Sequence, residues 1–312
     1  MDGEMMHELV NMPLGELMNE ADRLRQKQFG QQIELCGIVN AKSGACAMDC
    51  RFCAQSRHHA TQSETYPLRD ETTLHQETTA LWQCGVKRVG WVMSGCTVEA
   101  GDLEDVVHAA STLQSKSLSL HAKSLRGGIC ASMGQLNTDS FKRLKVSGIT
   151  RYHHNLETSE RFYPAICTTQ RWQDRLATAE RAKEIGLEIC CGGLFGLGET
   201  WDDRIALAET LRKLDVDSVP INFFHPIPGT PLADITPLVA DEALRIIAVF
   251  RILLPTTSLR ICGGRPTILG ERQPEMVRAG TDALMTGHYL TTSGISPQTD
   301  HRWLTQLGCR IG

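Results

Sequence analysis

Three cysteines stand close together in the sequence, at Cys46, Cys50 and Cys53. Thiolates are soft ligands that favour iron–sulfur clusters, zinc or copper(I) over the ions that prefer oxygen. The spacing CxxxCxxC supplies three ligands, whereas a closed structural zinc site takes four and usually draws them from two short-spaced pairs. The spacing therefore favours a 4Fe-4S cluster with one iron left open, and His58 and His59 keep a zinc site as the alternative.

The composition of the 312-residue chain excludes several kinds of partner. Hydrophobic residues make up 41% of the chain, as expected for a globular protein with a proper core. The net charge of −4 gives no reason to expect nucleic acid or an anionic membrane as a partner, and no apolar run approaches the ~20 residues of a membrane span. The N-terminal segment lacks the apolar part of a signal peptide, so a cytoplasmic location is expected. In that reducing compartment the 12 cysteines are better explained by metal or redox chemistry than by disulfides.

Strand-like and helix-like segments alternate along the chain after a helical start. Residues 5–29 carry apolar residues at helical spacing, so the sequence predicts an N-terminal helical extension over 1–30 and one further domain over 31–312. The alternation predicts an α/β fold, a (β/α)8 TIM-type barrel, with an open doubly wound sheet as the alternative. Residues 115–127 fit no element and have no assigned role. The predicted strands cover 33–40, 88–93, 128–133, 150–154, 187–191, 218–223, 258–262 and 283–286.

Residues with reactive or polar side chains recur at the ends of these predicted strands. The catalytic groups of a (β/α)8 barrel lie at the C-terminal ends of its strands, so these side chains are expected to face one site. In chain order they are Cys53, Cys96, Cys130, His153, His154, Asn155, Cys190, Cys191, Asn222, Arg260 and Cys262.

Six segments, in the same order, resemble the biotin synthase family of radical S-adenosylmethionine enzymes. They are CAMDCRFCAQS at 46–56, HNLETS at 154–159, GGLFGLGET at 192–200, VPIN at 219–222, GTPLAD at 229–234 and LRICGGR at 259–265. The resemblance implies a complete barrel, usually a homodimer, that inserts sulfur between two unactivated carbons of dethiobiotin to make biotin. In that family an electron from the 4Fe-4S cluster splits S-adenosylmethionine to methionine and a 5′-deoxyadenosyl radical. The expected electron donor is a flavodoxin or a ferredoxin.

The resemblance also implies which residues hold the cluster and the cofactor. Cys46, Cys50 and Cys53 map onto the ligands of the reducing cluster. Asn155 and Glu157 map onto positions that hold S-adenosylmethionine, and a carboxylate can accept both ribose hydroxyls. The adenine is expected to pass a glycine-rich segment, for which a plain helix-capping turn is the alternative. The residues of that segment are Gly192, Gly193, Leu194 and Gly196.

Substrate contacts carry over in the same way. Asn222 and the pair Thr291 and Thr292 map onto contacts with the ureido ring and the carboxylate of dethiobiotin. Asn155 is expected to reach the substrate as well as the cofactor. His153 stands where the family has an asparagine near the ureido group, so the identity of the substrate is the less secure part of this assignment.

The sulfur source is where the sequence departs from the family. The common pattern is an auxiliary 2Fe-2S cluster that three cysteines and an arginine hold deep in the barrel. Cys130, Cys190 and Arg260 match three of these ligands, and Gly90 occupies the position of the fourth. Arg260 is therefore predicted to take part in catalysis, or else to be the buried partner of a carboxylate.

Three further cysteines, Cys96, Cys191 and Cys262, stand near the same strand ends. Side chains alternate between the two faces of a strand, so Cys262 shares the face of Arg260, whereas Cys191 points away from the face of Cys190. The alternative is that Cys262 and Cys191 are packing residues and that the auxiliary cluster is weak or missing. The sequence predicts an altered auxiliary cluster, of the 2Fe-2S or 4Fe type, held by Cys130, Cys190, Cys262 and Cys96 together with Arg260.

Two other functional classes stay open at the level of sequence. Gly90 and His153 favour a relative that uses the same barrel on another substrate, such as a lipoyl synthase-like sulfur-inserting enzyme or a hydrogenase-cofactor maturase. A non-enzymatic zinc-binding or iron-storage protein is disfavoured by the ordered string of motifs.

Overall fold

A closed barrel of parallel strands forms the centre of the computed structural model, which describes residues 3–119 and 127–312. Strands pair in the order β10-β1-β2-β3-β4-β5-β7-β8-β9, and β1 also pairs with β9, which closes the ring. The predicted (β/α)8 barrel is confirmed and the open sheet is wrong. The strands are β1 Gln32–Lys42, β2 Arg88–Met93, β3 Gly128–Ser132, β4 Ile149–His153, β5 Glu188–Cys190, β6 Gly193–Phe195, β7 Ser218–Phe223, β8 Ser258–Ile261, β9 Ala283–Met285 and β10 Arg310–Ile311.

Helices follow the strands and cover the outside of the barrel, so that both faces of the sheet are buried. Two of them, α1 and α2, precede β1, and α2 packs against α8. The unassigned stretch 115–127 begins within α4, and its residues 120–126 lie outside the described part of the chain. The helices are α1 Gly3–Asn11, α2 Leu14–Phe29, α3 Glu71–Gln83, α4 Ala100–Ser119, α5 Thr138–Val146, α6 Trp172–Glu184, α7 Trp201–Leu214, α8 Ala240–Leu253, α9 Arg265–Leu269, α10 Glu275–Arg278 and α11 Pro297–Gln306.

Several helices are capped at their N-termini by the side chain of the residue that precedes them. Asp70 accepts the Thr73 N–H at 2.8 Å at the start of α3, and Asn137 accepts the Ser140 N–H at 2.8 Å at the start of α5. Such caps replace the hydrogen bonds that the first turn of a helix lacks. In the part of the chain that the structure describes, no helix combines the length and the apolar character of a membrane span.

The fifth position of the barrel is made of two short strands, β5 and β6, which both pair with β7. The extended strand is interrupted between them at Cys191 and Gly192. A Cβ atom on Gly192 would lie 2.1 Å from the carbonyl oxygen of Pro220, so only glycine fits where the two backbones approach. The glycine-rich segment thus first forms strand β6 and only then leads to Thr200, the N-cap of α7. A helix-capping turn alone describes this segment incompletely.

Arg251 of α8 is a buried cation that ties three parts of the fold together. Its Nε donates to the Gly280 carbonyl at 2.8 Å, its Nη1 donates to the Thr257 carbonyl at 2.8 Å, and its Nη2 donates to Asp282. The side chain of Arg251 is fully buried and that of Asp282 is 5% exposed. The replacement Arg251→Met is therefore expected to lower the free energy of unfolding by about 3–5 kcal/mol, because it leaves a buried carboxylate without its cation.

The measurement is the free energy of unfolding from urea titration of both proteins. Arg272→Met is the matched control, because Arg272 pairs with Asp241 and Glu275 at 2.6 and 2.7 Å on the exposed surface. An exposed pair contributes about 1 kcal/mol or less, so this variant is expected to stay close to the parent. Equal losses in the two variants would contradict the role given to Arg251.

Candidate active site in the barrel

The three motif cysteines lie in the loop that leaves the C-terminal end of β1. The Cys46 N–H donates to the Gln55 carbonyl at 3.0 Å, and the Arg57 N–H donates to the Cys46 carbonyl at 2.9 Å, so the loop closes on itself. All three cysteines are partly buried, and Cys50 packs against the main hydrophobic core. The loop therefore presents three soft ligands at the end of the barrel where chemistry is expected.

The two histidines of the zinc alternative point to backbone atoms. A ring nitrogen of His58 lies 3.0 Å from the Ala47 carbonyl, and a ring nitrogen of His59 lies 3.0 Å from the Cys53 carbonyl. Each of these nitrogens donates to a carbonyl, and the other ring nitrogen of each histidine keeps the ability to ligate a metal. Among the described residues, no three His, Cys, Asp or Glu side chains are grouped as the ligands of one ion. Cluster thiolates bind separate irons, so the lack of such a group does not count against a cluster.

A second segment, residues 165–169, braces the cysteine loop. The Arg51 N–H donates to the Ile166 carbonyl at 2.9 Å, and the Asp49 carboxylate accepts the N–H groups of Thr168 and Thr169 at 2.9 and 3.2 Å. Burial by itself raises the pKa of Asp49, but the hydrogen bonds from the two threonines outweigh it and hold that pKa well below its ordinary value. The carboxylate is thus charged, and it anchors the loop between two of its cysteines.

The upper pocket is a cavity of about 260 Å³ at the C-terminal mouth of the barrel. It is lined by residues of the cysteine loop, of strands β1, β6, β7 and β9, and of the segments that follow β4, β7, β8 and β9. Predicted cofactor and substrate residues that are far apart in the sequence therefore meet around one space. Those that line it are Cys53, Asn155, Glu157, Leu194, Asn222, Thr291 and Thr292.

Asn155 and Glu157 are held in place by Arg175 of α6. The Nε of Arg175 donates to the Asn155 carbonyl at 2.6 Å, and its Nη2 donates to Glu157 Oε1 at 3.3 Å. Asn155 Oδ1 accepts the Gly192 N–H at 3.1 Å. Glu157 has a φ of +69°, in the left-handed region that side chains other than glycine rarely adopt. Strain of this kind is found where the position of a side chain matters for function.

The glycine-rich segment packs closely against the backbone of Glu157 and the side chain of Asn222. A Cβ atom on Gly193 would lie 2.6 Å from the Glu157 carbonyl oxygen. Asn222 Nδ2 donates to the Gly193 carbonyl at 3.2 Å, and Asn222 Oδ1 accepts the Gly263 N–H at 3.0 Å. Leu194 lines the upper pocket, whereas Gly192, Gly193 and Gly196 do not, so their contact with adenine stays a prediction.

The lumen pocket is a smaller cavity of about 90 Å³ deeper in the barrel. Ile38, Asn222 and Met285 line both pockets, so the two spaces adjoin. Gly90 also lines the lumen pocket, at the position where the family ligand is missing. The reactive side chains around it are Cys36, Cys130, His153, Cys190, Arg260 and Cys262.

The structure separates the candidate cysteines. Cys262 shares the lumen with Arg260, as strand alternation predicts, whereas Cys191 is fully buried in the main hydrophobic core. Cys96 does not line the lumen pocket, because its loop is held at the mouth, where its carbonyl accepts the Gln135 N–H at 2.6 Å. Cys96 therefore lies apart from the lumen thiols, and its role as a cluster ligand stays a prediction, whereas Cys36 does line the lumen pocket.

Two lumen thiols have strongly different proton affinities. Burial by itself raises the pKa of Cys190, but His153, whose Nδ1 lies 3.5 Å from the sulfur, and the charges of Arg260 and Arg151 lower it to about 6. Burial raises the pKa of Cys130 to about 12. Burial also raises the pKa of Cys36, but the thiol of Cys262 and the charge of Arg260 bring it below its ordinary value. The electrostatic field of the lumen thus favours thiolates next to His153 and Arg260.

Three arginines and two glutamates form the floor of the lumen. Arg260 donates to Glu34, Arg151 Nε donates to Glu188 at 2.8 Å, and Arg88 lies 3.1 Å from Glu188. Arg260 is therefore a carboxylate partner as well as a lumen residue. The buried Nη1 of Arg151 and Nε of Arg260 have no hydrogen-bond partner in the described protein. A floor with surplus positive charge and two unused donors suits an anionic group in the lumen.

Comparisons with known proteins agree with this geometry. The sequence profile of the Radical SAM superfamily matches residues 41–211, and that of the Biotin and Thiamin Synthesis associated domain matches residues 220–310. A biotin synthase from Desulfovibrio desulfuricans is 48% identical over 303 residues, which are 97% of this chain and 93% of that protein. A biotin synthase from Trichlorobacter lovleyi is 46% identical over 304 residues, 97% of this chain and 89% of that protein.

Two solved structures have the same fold at low sequence identity. Methylornithine synthase has a TM-score of 0.82 at 19% identity and covers 98% of this chain and 93% of its own. The FeFe-hydrogenase maturase HydG has a TM-score of 0.81 at 17% identity and covers 97% of this chain and 70% of its own. At these identities the likeness extends to the barrel alone, whereas the sequence relatives decide the family. The chain belongs to the biotin synthase family of the radical S-adenosylmethionine superfamily.

Proposed function

We propose that this chain converts dethiobiotin to biotin by inserting sulfur between two unactivated carbons. The observation that carries the proposal is the pair of adjoining pockets, which share the side chains of Ile38, Asn222 and Met285. The upper pocket is lined by Cys53 and by residues expected to bind the cofactor, and the lumen pocket is ringed by thiols. A substrate held at the shared wall, the boundary formed by Ile38, Asn222 and Met285, lies between the two pockets. The upper pocket is then the side of hydrogen abstraction, and the lumen pocket is the side of sulfur donation.

The residues of the upper pocket fit the cofactor that the family uses. When bound, the 4Fe-4S cluster and S-adenosylmethionine supply the 5′-deoxyadenosyl radical that an unactivated C–H bond requires. Cys46, Cys50 and Cys53 hold the cluster, while Asn155 and Glu157 orient the cofactor. The barrel wall around this pocket keeps water away from the reacting atoms.

For the auxiliary cluster we propose four thiolate ligands, with Cys36 in the place first given to Cys96. Four cysteines suffice for either a 2Fe-2S or a 4Fe cluster, and such clusters are anionic. Arg260 lines the lumen pocket, and its Nε, which has no hydrogen-bond partner in the described protein, is suited to donate to the cluster sulfides. The reactive thiolate near His153 adds a ligand that is already deprotonated at neutral pH. The proposed ligands are Cys36, Cys130, Cys190 and Cys262.

The substrate contacts give dethiobiotin a direction in the barrel. Thr291 and Thr292 line only the upper pocket, His153 lines only the lumen pocket, and Asn222 lines both. A carboxylate near the threonines and a ureido ring near Asn222 and His153 satisfy this order. Asn155, on the upper side, contacts cofactor and substrate together.

The remaining partners follow from the family resemblance. We propose a flavodoxin or a ferredoxin as the electron donor, a homodimer as the assembly and the cytoplasm as the location. The partial exposure of the three cluster cysteines supports electron delivery from outside the barrel.

The test of substrate identity is the rate of 5′-deoxyadenosine formation by the reconstituted, reduced enzyme. Dethiobiotin is expected to raise this rate by more than about tenfold, a difference of about 1.4 kcal/mol in barrier, because substrate binding at the shared wall completes the site. An octanoyl peptide, the substrate expected of a lipoyl synthase-like enzyme, is expected to leave the rate unchanged. Stimulation by the octanoyl peptide but not by dethiobiotin would overturn the proposal.

The strained backbone of Glu157 gives a second prediction, for the pair Glu157→Ala and Glu157→Gly. Both variants lose the carboxylate, so both are expected to bind S-adenosylmethionine about 10- to 100-fold more weakly, the effect of a lost charged hydrogen bond. They differ only in the backbone. The left-handed conformation destabilises the folded alanine variant by about 1–2 kcal/mol. The glycine variant avoids this strain, but its more flexible unfolded chain lowers its free energy of unfolding by up to about 1 kcal/mol.

Glu157→Gly is therefore expected to be more stable than Glu157→Ala by about 1 kcal/mol. Urea titration measures the stability, and equilibrium dialysis measures the affinity for the cofactor. Equal stabilities would mean that the positive φ of Glu157 stores no strain.

A further inference from the structure

A thiol outside both pockets lies against the cysteine loop. Cys167 is 2% exposed and belongs to the segment 165–169 that braces this loop. The Cys50 thiol donates to the Cys167 sulfur at 3.7 Å, and Thr169 Oγ1 also lies 3.7 Å from that sulfur. A second thiol is thus in direct contact with one of the three cluster cysteines, and the proposed reaction does not use it.

The backbone on both sides of this pair is fixed by hydrogen bonds. The N–H of Arg51 donates to the carbonyl of Ile166 at 2.9 Å, so the residue after Cys50 faces the residue before Cys167. On the other side, the Asp49 carboxylate accepts the Thr168 N–H at 2.9 Å. The two cysteines therefore lie on neighbouring stretches of backbone, and their sulfur atoms, 3.7 Å apart, need to approach to about 2.05 Å to form a disulfide.

We propose that Cys167 is the resolving thiol for Cys50, and that the two form a reversible disulfide when no cluster is bound. This disulfide closes the cluster site to iron until it is reduced. The proposal rests on the proposed function in that Cys50 is taken as a cluster ligand, and it concerns the state of the protein before the cluster is inserted or after it is lost.

Thiol–disulfide exchange with a low-molecular-weight disulfide, such as oxidised glutathione, supplies the chemistry. The Cys50 thiol, the more accessible of the two, loses its proton and attacks one sulfur of oxidised glutathione, one glutathione thiolate leaves, and a mixed disulfide remains on Cys50. The Cys167 thiolate then attacks the Cys50 sulfur, and the second glutathione leaves. The two protein thiols lose two electrons and two protons, and one oxidised glutathione becomes two reduced ones.

The disulfide has a clear consequence for the enzyme. A thiol held in a disulfide is protected from the irreversible sulfinic and sulfonic acids, and it is recovered by reduction. Because Cys167 is already in contact, the partly exposed Cys50 does not stay glutathionylated. A bound cluster prevents the reaction, since the Cys50 sulfur is then occupied by iron.

The sequence makes the test by peptide mapping direct. Trypsin releases Cys50 on the peptide 43–51, Cys167 on the peptide 162–171 and Cys53 on the peptide 52–57. The full-length chain is compared in its cluster-loaded and chelator-stripped forms. Both are incubated with oxidised glutathione under anaerobic conditions, blocked with an alkylating agent and mapped by mass spectrometry.

The stripped wild type is expected to give the cross-linked pair 43–51 and 162–171, with fragment ions that assign the bond to Cys50. Cys167→Ser and Cys167→Ala are expected to lose this pair and to carry glutathione on Cys50 instead. The matched control Cys309→Ser, at a buried cysteine elsewhere in the core, is expected to keep it, and the loaded wild type is expected to lack it.

Glutathione on Cys50 to the same extent in the wild type and in both Cys167 variants would overturn the proposal. A bond from Cys50 to Cys46 or Cys53 in place of Cys167 would overturn it as well. The map needs no turnover, so a chain that forms the cross-link but does not act on dethiobiotin refutes only the proposed function.

Discussion

A Cys46/Cys50/Cys53→Ala triple variant is expected to lose 5′-deoxyadenosine formation while it keeps part of its iron. Removing residues that only support metal ligands costs about 10- to 100-fold in activity, so removing all three ligands is expected to cost more than about 100-fold. The lumen thiols lie in a different pocket and are untouched. Wild type reconstituted without oxygen is therefore expected to hold more iron than the four of one cluster, and the variant is expected to keep the surplus.

Iron and sulfide per chain, measured on both proteins after anaerobic reconstitution, decide this point. The rate of 5′-deoxyadenosine formation from S-adenosylmethionine is measured on the same samples. Wild type with one cluster's iron and a variant with none would contradict the auxiliary cluster. The chain would then be a radical enzyme that rearranges or cleaves its substrate without donating sulfur.

The main strands of the barrel can be predicted from the sequence because each is a short segment between two helical segments. All eight predicted strands are present, and the alternation that predicts them is local. The two additional strands, β6 and β10, have three and two residues and depend on partners far away in the chain. Local pattern carries no information about such pairing.

The lumen ligands were harder to predict because both faces of a barrel strand are buried. In such a strand the alternation of polar and apolar residues disappears, and the face of a cysteine is not visible. Arg260 fixed the face of β8 and hence that of Cys262 two residues later. β1 offers no such marker, and only the structure shows that Cys36 and Ile38, two residues apart on that strand, line the same cavity.

The brace formed by residues 165–169 was missed for a different reason. Asp49 and Thr168 lie 119 positions apart, and neither residue type signals chemistry by itself. A reader of the sequence could have noticed only that Asp49 stands between two ligand cysteines. Cys167 is a small buried residue, and its contact with Cys50, 117 positions away, depends on the fold.

The neighbours Cys190 and Cys191 give the sharpest test of the auxiliary cluster. Both side chains are buried, but Cys190 lines the lumen pocket beside His153, whereas Cys191 packs in the main core. Cys190→Ala is expected to lose the auxiliary iron and to lower biotin formation by more than about 100-fold. Cys191→Ala removes the same atoms one residue further on, so it is expected to keep both.

Cys36→Ala and Cys262→Ala extend the same comparison to the other two strands, with Cys96→Ala as their control at the mouth of the barrel. The measurement is iron per chain and biotin formed per 5′-deoxyadenosine, which separates sulfur insertion from radical formation. Loss in the first pair and not in Cys96→Ala would match the lumen set. If Cys262→Ala leaves both iron content and turnover unchanged, Cys262 is a packing residue. Cys36 lies against Cys262. If Cys36→Ala also leaves iron content and turnover unchanged, only Cys130 and Cys190 remain as ligands, and a four-cysteine cluster site is excluded.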